Sequence, residues 1–267
     1  MIKYILSVVF SIISISTIYA QYDLVSPFRD FGVEGSITIY DLKANKWITN
    51  DLIMSQSGTL PASTFKIVNT LIALECGVIK DGNEIIKWPG VCDTLRYGNR
   101  TDIFHDLSIK EAFKKSAVWT YLEIAKSVGK ERYKKYLSIL KYGNQDISVE
   151  DIDFWNFGNL AISPANQIEI LIELYNETLP FKKQNIKTVK QLLLDEETSE
   201  YKISAKTGFT NFKDKSIGWW VGYIENKENV YFFATRIFKT SDLTNPDFGR
   251  SRKEITKVIF KQMGIIQ

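Results

Sequence analysis

One histidine, His105, and two cysteines, Cys76 and Cys92, are all that 267 residues hold of the side chains that most often bind catalytic metals. A lone imidazole argues against a hydrolytic zinc site, which draws two or three of its ligands from histidine. No G-x-S-x-G turn presents a serine, and "DIFHDLS" reads as a loop before a helix. A Ser-His-Asp hydrolase therefore lacks its parts, and His105 is read as structural or surface. The phosphate cradles G-x-x-x-x-G-K-[ST] and G-x-G-x-x-G are both missing, which removes the usual route to nucleotide chemistry. Runs of one charge are missing too: 34 Lys and Arg alternate with 31 Asp and Glu, leaving no footprint for nucleic acid. The partner expected is a small molecule or a protein. Two cysteines make no disulfide framework; Cys76 falls in an apolar pattern and reads as a buried thiol, a Cys76–Cys92 bridge being the alternative.

What is present suits a sizeable core: 45% of residues are hydrophobic and 24% charged, as in one large domain or two intimate lobes. The first twenty residues, "MIKYILSVVFSIISISTIYA", put Lys3 ahead of an apolar run that ends in Ile-Tyr-Ala. That layout predicts a secretory signal peptide over 1–20, a mature domain over 21–267 and delivery to the periplasm; a retained anchor is the competing reading. No other stretch has the length and apolarity to cross a bilayer, so no stable membrane association is expected after cleavage.

"GSITIYDLKANKWITND" alternates and turns like a β-hairpin, with Ser36 to Tyr40 as its first strand. From about 62 to 194 the apolar period is helical, over 62–76, 108–115, 117–128, 130–139, 164–176 and 185–194. "EYKISAKTGF", "SIGWWVGYIEN" and "NVYFFATRIF" then read as three strands, and 251–263 as an amphipathic helix. The predicted class is α+β: an antiparallel sheet built from the two ends of the chain, packed by helices, with an all-helical lobe inserted. Such a plan puts residues 60–70 at the seam of the lobes, where small-molecule clefts commonly form.

In that seam "LPASTFKIVNTLIAL" sets Lys66 among Phe65, Ile67, Val68, Leu71 and Ile72. A helix begun near Pro61 brings Ser63 and Lys66, three apart, onto one face. Serine becomes a nucleophile when a base takes its proton, and a lysine is that base only when neutral, a state that apolar burial favours. Spacing alone is weak evidence, since S-x-x-K recurs at Ser127 with Lys130, Ser138 with Lys141 and Ser199 with Lys202, in charge-rich segments where lysine reaches solvent.

Ser116-Ala117-Val118 and Lys206-Thr207-Gly208 follow in order. S-x-x-K, a second serine on the inserted lobe and a strand-borne K-T-G resemble the penicilloyl serine transferases. Val118 stands where an amide would be usual. S-x-V together with "STFK", Tyr142-Gly143-Asn144, "DFWNFG", "GWWVGY" and "RKEITK" resembles the class D (oxacillinase type) β-lactamases over nearly all of the mature chain.

The resemblance implies hydrolysis of the β-lactam ring of penicillin-type antibiotics through a Ser63 acyl-enzyme, and so antibiotic resistance. It implies that the backbone N–H groups of Ser63 and Phe209 hold the oxyanion. Lys66 would be carboxylated by carbon dioxide to a carbamate acting as general base, with no metal and no other cofactor. Trp155 would donate to that carbamate, Ser116 would relay a proton to the lactam nitrogen, and Val118 with Phe65 would keep the site dry. Lys206, Thr207, Gly208 and Arg252 would receive the substrate carboxylate, with Arg250 as the competing cation. Tyr142-Gly143-Asn144 reads as a turn. Loop positions near Ser116, Trp155 and 213–216 would set substrate preference. A sensor or transpeptidase-like domain with slow deacylation is the alternative reading, and a noncatalytic envelope binding protein a third.

Overall fold

The protein is described by a computed structural model over residues 22–212, 214–240 and 247–267; the expected leader 1–20, its cleavage point before Gln21, and Lys213 lie outside the described residues. Period-two alternation in the β-branched and aromatic segments builds one six-stranded antiparallel sheet. Its strands are β1 (Glu34–Asp41), β2 (Lys46–Thr49), β5 (Leu194–Glu197), β6 (Tyr201–Phe212), β7 (Lys215–Asn226) and β8 (Val230–Thr240). They lie in the order β2-β1-β8-β7-β6-β5, so the first hairpin docks on the last strand and both ends of the chain share one sheet. A second sheet pairs only β3 (Ile85–Ile86) with β4 (Leu107–Ser108).

Both faces of the main sheet are buried, and "GWWVGY" shows how. Trp220 and Ile224 pack with Ile37, Ile39, Phe233 and Ile237 in one core; Trp219, Val221 and Tyr223 join the other. The first core is closed by α1 (Ser26–Asp30) and by α11 (Phe248–Gln262), whose Ile255, Ile259 and Phe260 recur at helical spacing. Against the second lie helices from the middle of the chain: α3 (Lys66–Glu75), α5 (Ile109–Lys115), α6 (Val118–Val128), α7 (Lys130–Ile139), α8 (Phe154–Phe157), α9 (Pro164–Tyr175) and α10 (Lys183–Leu193); the short helices α2 (Leu52–Gln56) and α4 (Thr94–Tyr97) add nothing to that core. The α+β plan expected from the sequence is the observed one. Among the described residues no helix is long and apolar enough to cross a membrane.

Three boundaries differ in ways that matter for the site. The stretch read as one helix over 62–76 is a 3-10 turn, Ala62–Phe65, followed by α3. Ala62 has φ of 51°, a left-handed conformation that an L-residue adopts only under constraint, and it immediately precedes Ser63. Helix α10 gives way to β5, so 194 begins a strand rather than ending a helix. Helix α11 starts three residues before 251, and Arg252 sits inside it instead of opening it. Cys76 and Cys92 are both free thiols, which settles the bridge against pairing in this fold.

Candidate active site

Ser63 and Lys66 meet as their spacing predicts: the Lys66 Nζ donates to the Ser63 Oγ at 2.9 Å. The turn beneath them is fixed by local bonds. Thr64 Oγ1 donates to the Pro61 carbonyl at 2.7 Å and accepts from Gln167 Nε2 of α9 at 2.7 Å, and Trp219 Nε1 donates to the Leu60 carbonyl at 2.9 Å. Behind that turn, Arg236 of β8 is 1% exposed and donates to the carbonyls of Ser57 and Met54 and to Thr59 Oγ1. The sheet thus grips the strand of chain that delivers the nucleophile.

Lys66 is 1% exposed. Its Nζ lies 4.9 Å from the centre of the Tyr121 ring, and Phe65 beside it is walled by Tyr133, Tyr142, Phe154 and Trp155. Removing an ammonium from water is costly, and burial pushes the amine down to about 8, against the opposing field of Asp153. Trp155 stacks on Phe65 at 5.5 Å, and its indole Nε1–H is buried with no acceptor. An orphaned donor of this kind costs of order 1–3 kcal/mol and calls for an acceptor. An anionic carboxylate on the Lys66 nitrogen would be acceptor-only, so the donor set fits it.

Across the cleft, Ser116 is the C-cap of α5 with φ of 53°, and Lys206 Nζ donates to its Oγ. Lys206 is 4% exposed, and burial together with the charges of Lys66 and Arg252 holds its amine well below the ordinary range. Strand β5 pairs with β6 only at Lys202–Ser204, so the stretch from Lys206 onward runs along the cleft without a strand beside it on that edge. Gly208 lets this edge close on the nucleophile's turn: a Cβ there would stand 2.9 Å from the Pro61 carbonyl oxygen and 3.0 Å from Thr64 Cγ2. The close approach sets β6 against the 3-10 turn that carries Ser63.

Arg252 Nη1 donates to the Gly208 carbonyl at 2.7 Å, its buried Nε is without a partner, and burial pushes its guanidinium down to about 10. Arg250, the competing cation, is exposed and paired with Glu254. Ser63, Ser116, Val118, Thr207, Gly208, Phe209 and Arg252 all line one cleft of about 620 Å³. Lys66 and Trp155 lie behind its floor. Tyr142-Gly143-Asn144 is a turn, as read: Gly143 has φ of 52° and no room for a Cβ against the Ala161 carbonyl, and Asn144 Oδ1 accepts from Ala161 N–H. His105 is exposed, its ring on the Asp106 carbonyl.

Two features of the site are not apparent from the motifs. Asp153 is completely buried two residues before Trp155, and Arg96 with Tyr97 of α4 closes one wall against Asp151 and Phe157. A carboxylate inside the apolar run "IDFWNF" was the one available signal.

Residues 34–261 match the penicillin binding protein transpeptidase domain. The chain is 37% identical over 239 residues to the β-lactamase OXA-48 of Klebsiella pneumoniae, spanning 90% of this chain and 87% of that protein. It is 34% identical to the probable β-lactamase YbxI of Bacillus subtilis strain 168, over 90% and 84%. Among solved structures, the class D β-lactamase of Sebaldella termitidis ATCC 33386 superposes with a TM-score of 0.87 at 40% identity, covering 93% of this chain and 98% of that one.

Proposed function

Because the chain belongs to the penicillin binding protein transpeptidase family and, within it, to the class D β-lactamases, we propose that it hydrolyses the β-lactam ring of penicillin-type antibiotics through an acyl-enzyme on Ser63, and so confers resistance to them. The observation that carries this reading is the buried Lys66 amine on the Ser63 hydroxyl, facing Lys206 on the Ser116 hydroxyl across one cleft.

The reaction then follows from what each group can do. Ser63 Oγ loses its proton on the Lys66 side and attacks the lactam carbonyl. The resulting oxyanion takes the N–H groups of Ser63 and Phe209; each donor aimed at such a charge is typically worth about 3 kcal/mol. Ser116, held by Lys206, passes a proton to the lactam nitrogen as the C–N bond breaks. Arg252 and Thr207 supply the charge and hydroxyl that a substrate carboxylate needs at the other end, with Lys206 behind them on Ser116. Val118 at the mouth and Phe65 beneath it limit water.

Lys66 is the residue we assign to carboxylation by carbon dioxide, with no metal involved. Only an uncharged amine attacks carbon dioxide, and the apolar box supplies that amine. The group would add two acceptor oxygens that serve as general base for both acylation and deacylation, and Trp155 Nε1–H is the donor waiting for it. Export to the periplasm is proposed on the Lys3-led apolar run that ends at Ala20.

Mixing the mature protein with a chromogenic β-lactam while following colour and intact mass tests the function. Sustained turnover is the expected result. A stoichiometric burst with a lasting adduct supports a sensor instead, and the absence of any adduct or turnover sinks the acylation reading.

A further inference from the structure

Asp153 is a buried carboxylate for which the catalytic assignments above have no use. It is 0% exposed, at the N-cap of the helix that carries Trp155. Its two oxygens accept from Asn156 Nδ2 at 2.8 and 3.0 Å, and the Tyr97 phenol hydrogen-bonds it from α4. The charged and titratable groups facing it are Lys66 from α3, Arg96 and Tyr97 from α4, and Asp151 from its own segment. Arg96 is engaged elsewhere: its guanidinium pairs with Asp151 and lies 4.2 Å from the Phe157 ring centre. The side chains bonded to Asp153 are thus neutral, and its charge is answered through space by the ammonium form of Lys66 and, more weakly, by Arg96. A buried anion held by neutral donors is costly unless its charge serves a neighbour.

That arrangement poses a conflict. Carboxylation turns position 66 from a neutral or cationic group into an anion, within the field of a second buried anion. Resting on the reading of Lys66 as the carboxylated base, we propose that Asp153 takes up the proton which carboxylation of the neutral amine releases, so that Lys66 and Asp153 together carry one negative charge on either side of that step. In the step, the amine lone pair forms the N–C bond to carbon dioxide and a C=O π pair moves onto oxygen. The N–H proton that must leave ends on the Asp153 carboxylate. Decarboxylation runs the same transfers backward. Tyr97 suits either state, because a phenol donates to a carboxylate and accepts from a carboxylic acid. Burial holds the Asp153 carboxyl above the ordinary range, in the direction that makes it a proton acceptor here. Asp153 acts through Lys66 and is a positioning residue, not one that touches substrate.

The rival account, in which Asp153 only anchors Asn156 and Tyr97, makes a different prediction about proton number. A carbon-13-labelled bicarbonate titration of the mature protein, read by the carbamate NMR signal at fixed dissolved carbon dioxide and varied pH, counts protons without reference to activity. With Asp153 as acceptor, the carbon dioxide concentration for half-occupancy falls about tenfold per pH unit below the Lys66 midpoint near 8 and is flat above it. Asp153→Asn has no acceptor, so its dependence steepens by about tenfold per unit in both ranges. Wild-type occupancy that keeps rising about tenfold per unit above pH 8 overturns the proposal alone, and that measurement stands even should D153N fail to fold. No carbamate signal in the wild type overturns the carboxylation reading, and this proposal with it.

Discussion

At Trp155 the chemistry narrows to a single hydrogen. The ring is needed for its stack on Phe65, but the N–H has no partner in the fold, so Trp155→Phe should keep the packing and remove only the donor. A hydrogen bond to a charged group is worth about 1.5–3 kcal/mol, so kcat should fall by roughly 10–100-fold and recover in part when bicarbonate is raised. Unchanged kcat at every bicarbonate concentration would show that the indole N–H is idle. Lys66 gives a second expectation at the same scale. Below its midpoint near 8 the amine is mostly charged, so reactivation of enzyme stripped of carbon dioxide should speed up as pH rises toward 8 at fixed dissolved carbon dioxide, then level off. A rate independent of pH between 6 and about 8 would contradict burial as the cause.

Residues also mark where sequence reading succeeds and stops. Ser63, Lys66, Ser116, Lys206 and Arg252 are legible because each sits in a motif of fixed local spacing, and the structure brings all five to one cleft or its floor. Asp153 and Arg236 are not legible, because a buried charge is defined by what packs around it from distant segments. Arg236 in "ATRIF" looks like the outward residue of an edge strand, yet β8 is central and the side chain is buried against Trp219 and Phe238.

Between elements, the decisive contact is the edge of β6 on the 3-10 turn. Its closeness depends on Gly208, so Gly208→Ala should push the strand off Ser63 and widen the oxyanion gap. Overpacking of this kind costs about 1–3 kcal/mol, or roughly 2–12 °C in Tm, and kcat/KM should fall by more than tenfold. Equal activity in G208A would mean that the two segments tolerate separation. Arg236 holds the other side of the same turn. Arg236→Met would leave two buried carbonyls and a hydroxyl without their donor, and should cost about 3 kcal/mol, or roughly 6–12 °C in Tm. The element boundaries that sequence periodicity misplaced have local causes. Ala62 breaks the helix read over 62–76 by its positive φ, and "LDEE" in β5 shows no apolar alternation because its pairing is short and bulged.

For the whole molecule, the plan of one sheet made from both ends of the chain was readable, since "GSITIYD" and "NVYFFATRIF" each alternate and need partners. Pairing order was not, because strand β1 meets β8 across almost the entire chain. The buried Lys66 also leaves a global trace. Its folded-state amine titrates near 8 and its unfolded one near 10.5, so between those values the unfolded chain binds a proton that the folded chain does not. Stability of the uncarboxylated protein should therefore rise with pH through that window relative to Lys66→Met, with the full penalty present below about 8. Denaturant unfolding of both proteins in carbon-dioxide-free buffer checks the sign; parallel curves would contradict it.

The most direct test of the central claim is rapid-quench intact mass with peptide mapping during steady-state turnover of a slowly hydrolysed β-lactam. The account predicts an adduct of the whole ring-opened substrate on the peptide containing Ser63, present while substrate lasts and gone when it is spent. Hydrolysis with no adduct on that peptide, or with the adduct on another residue, would contradict it.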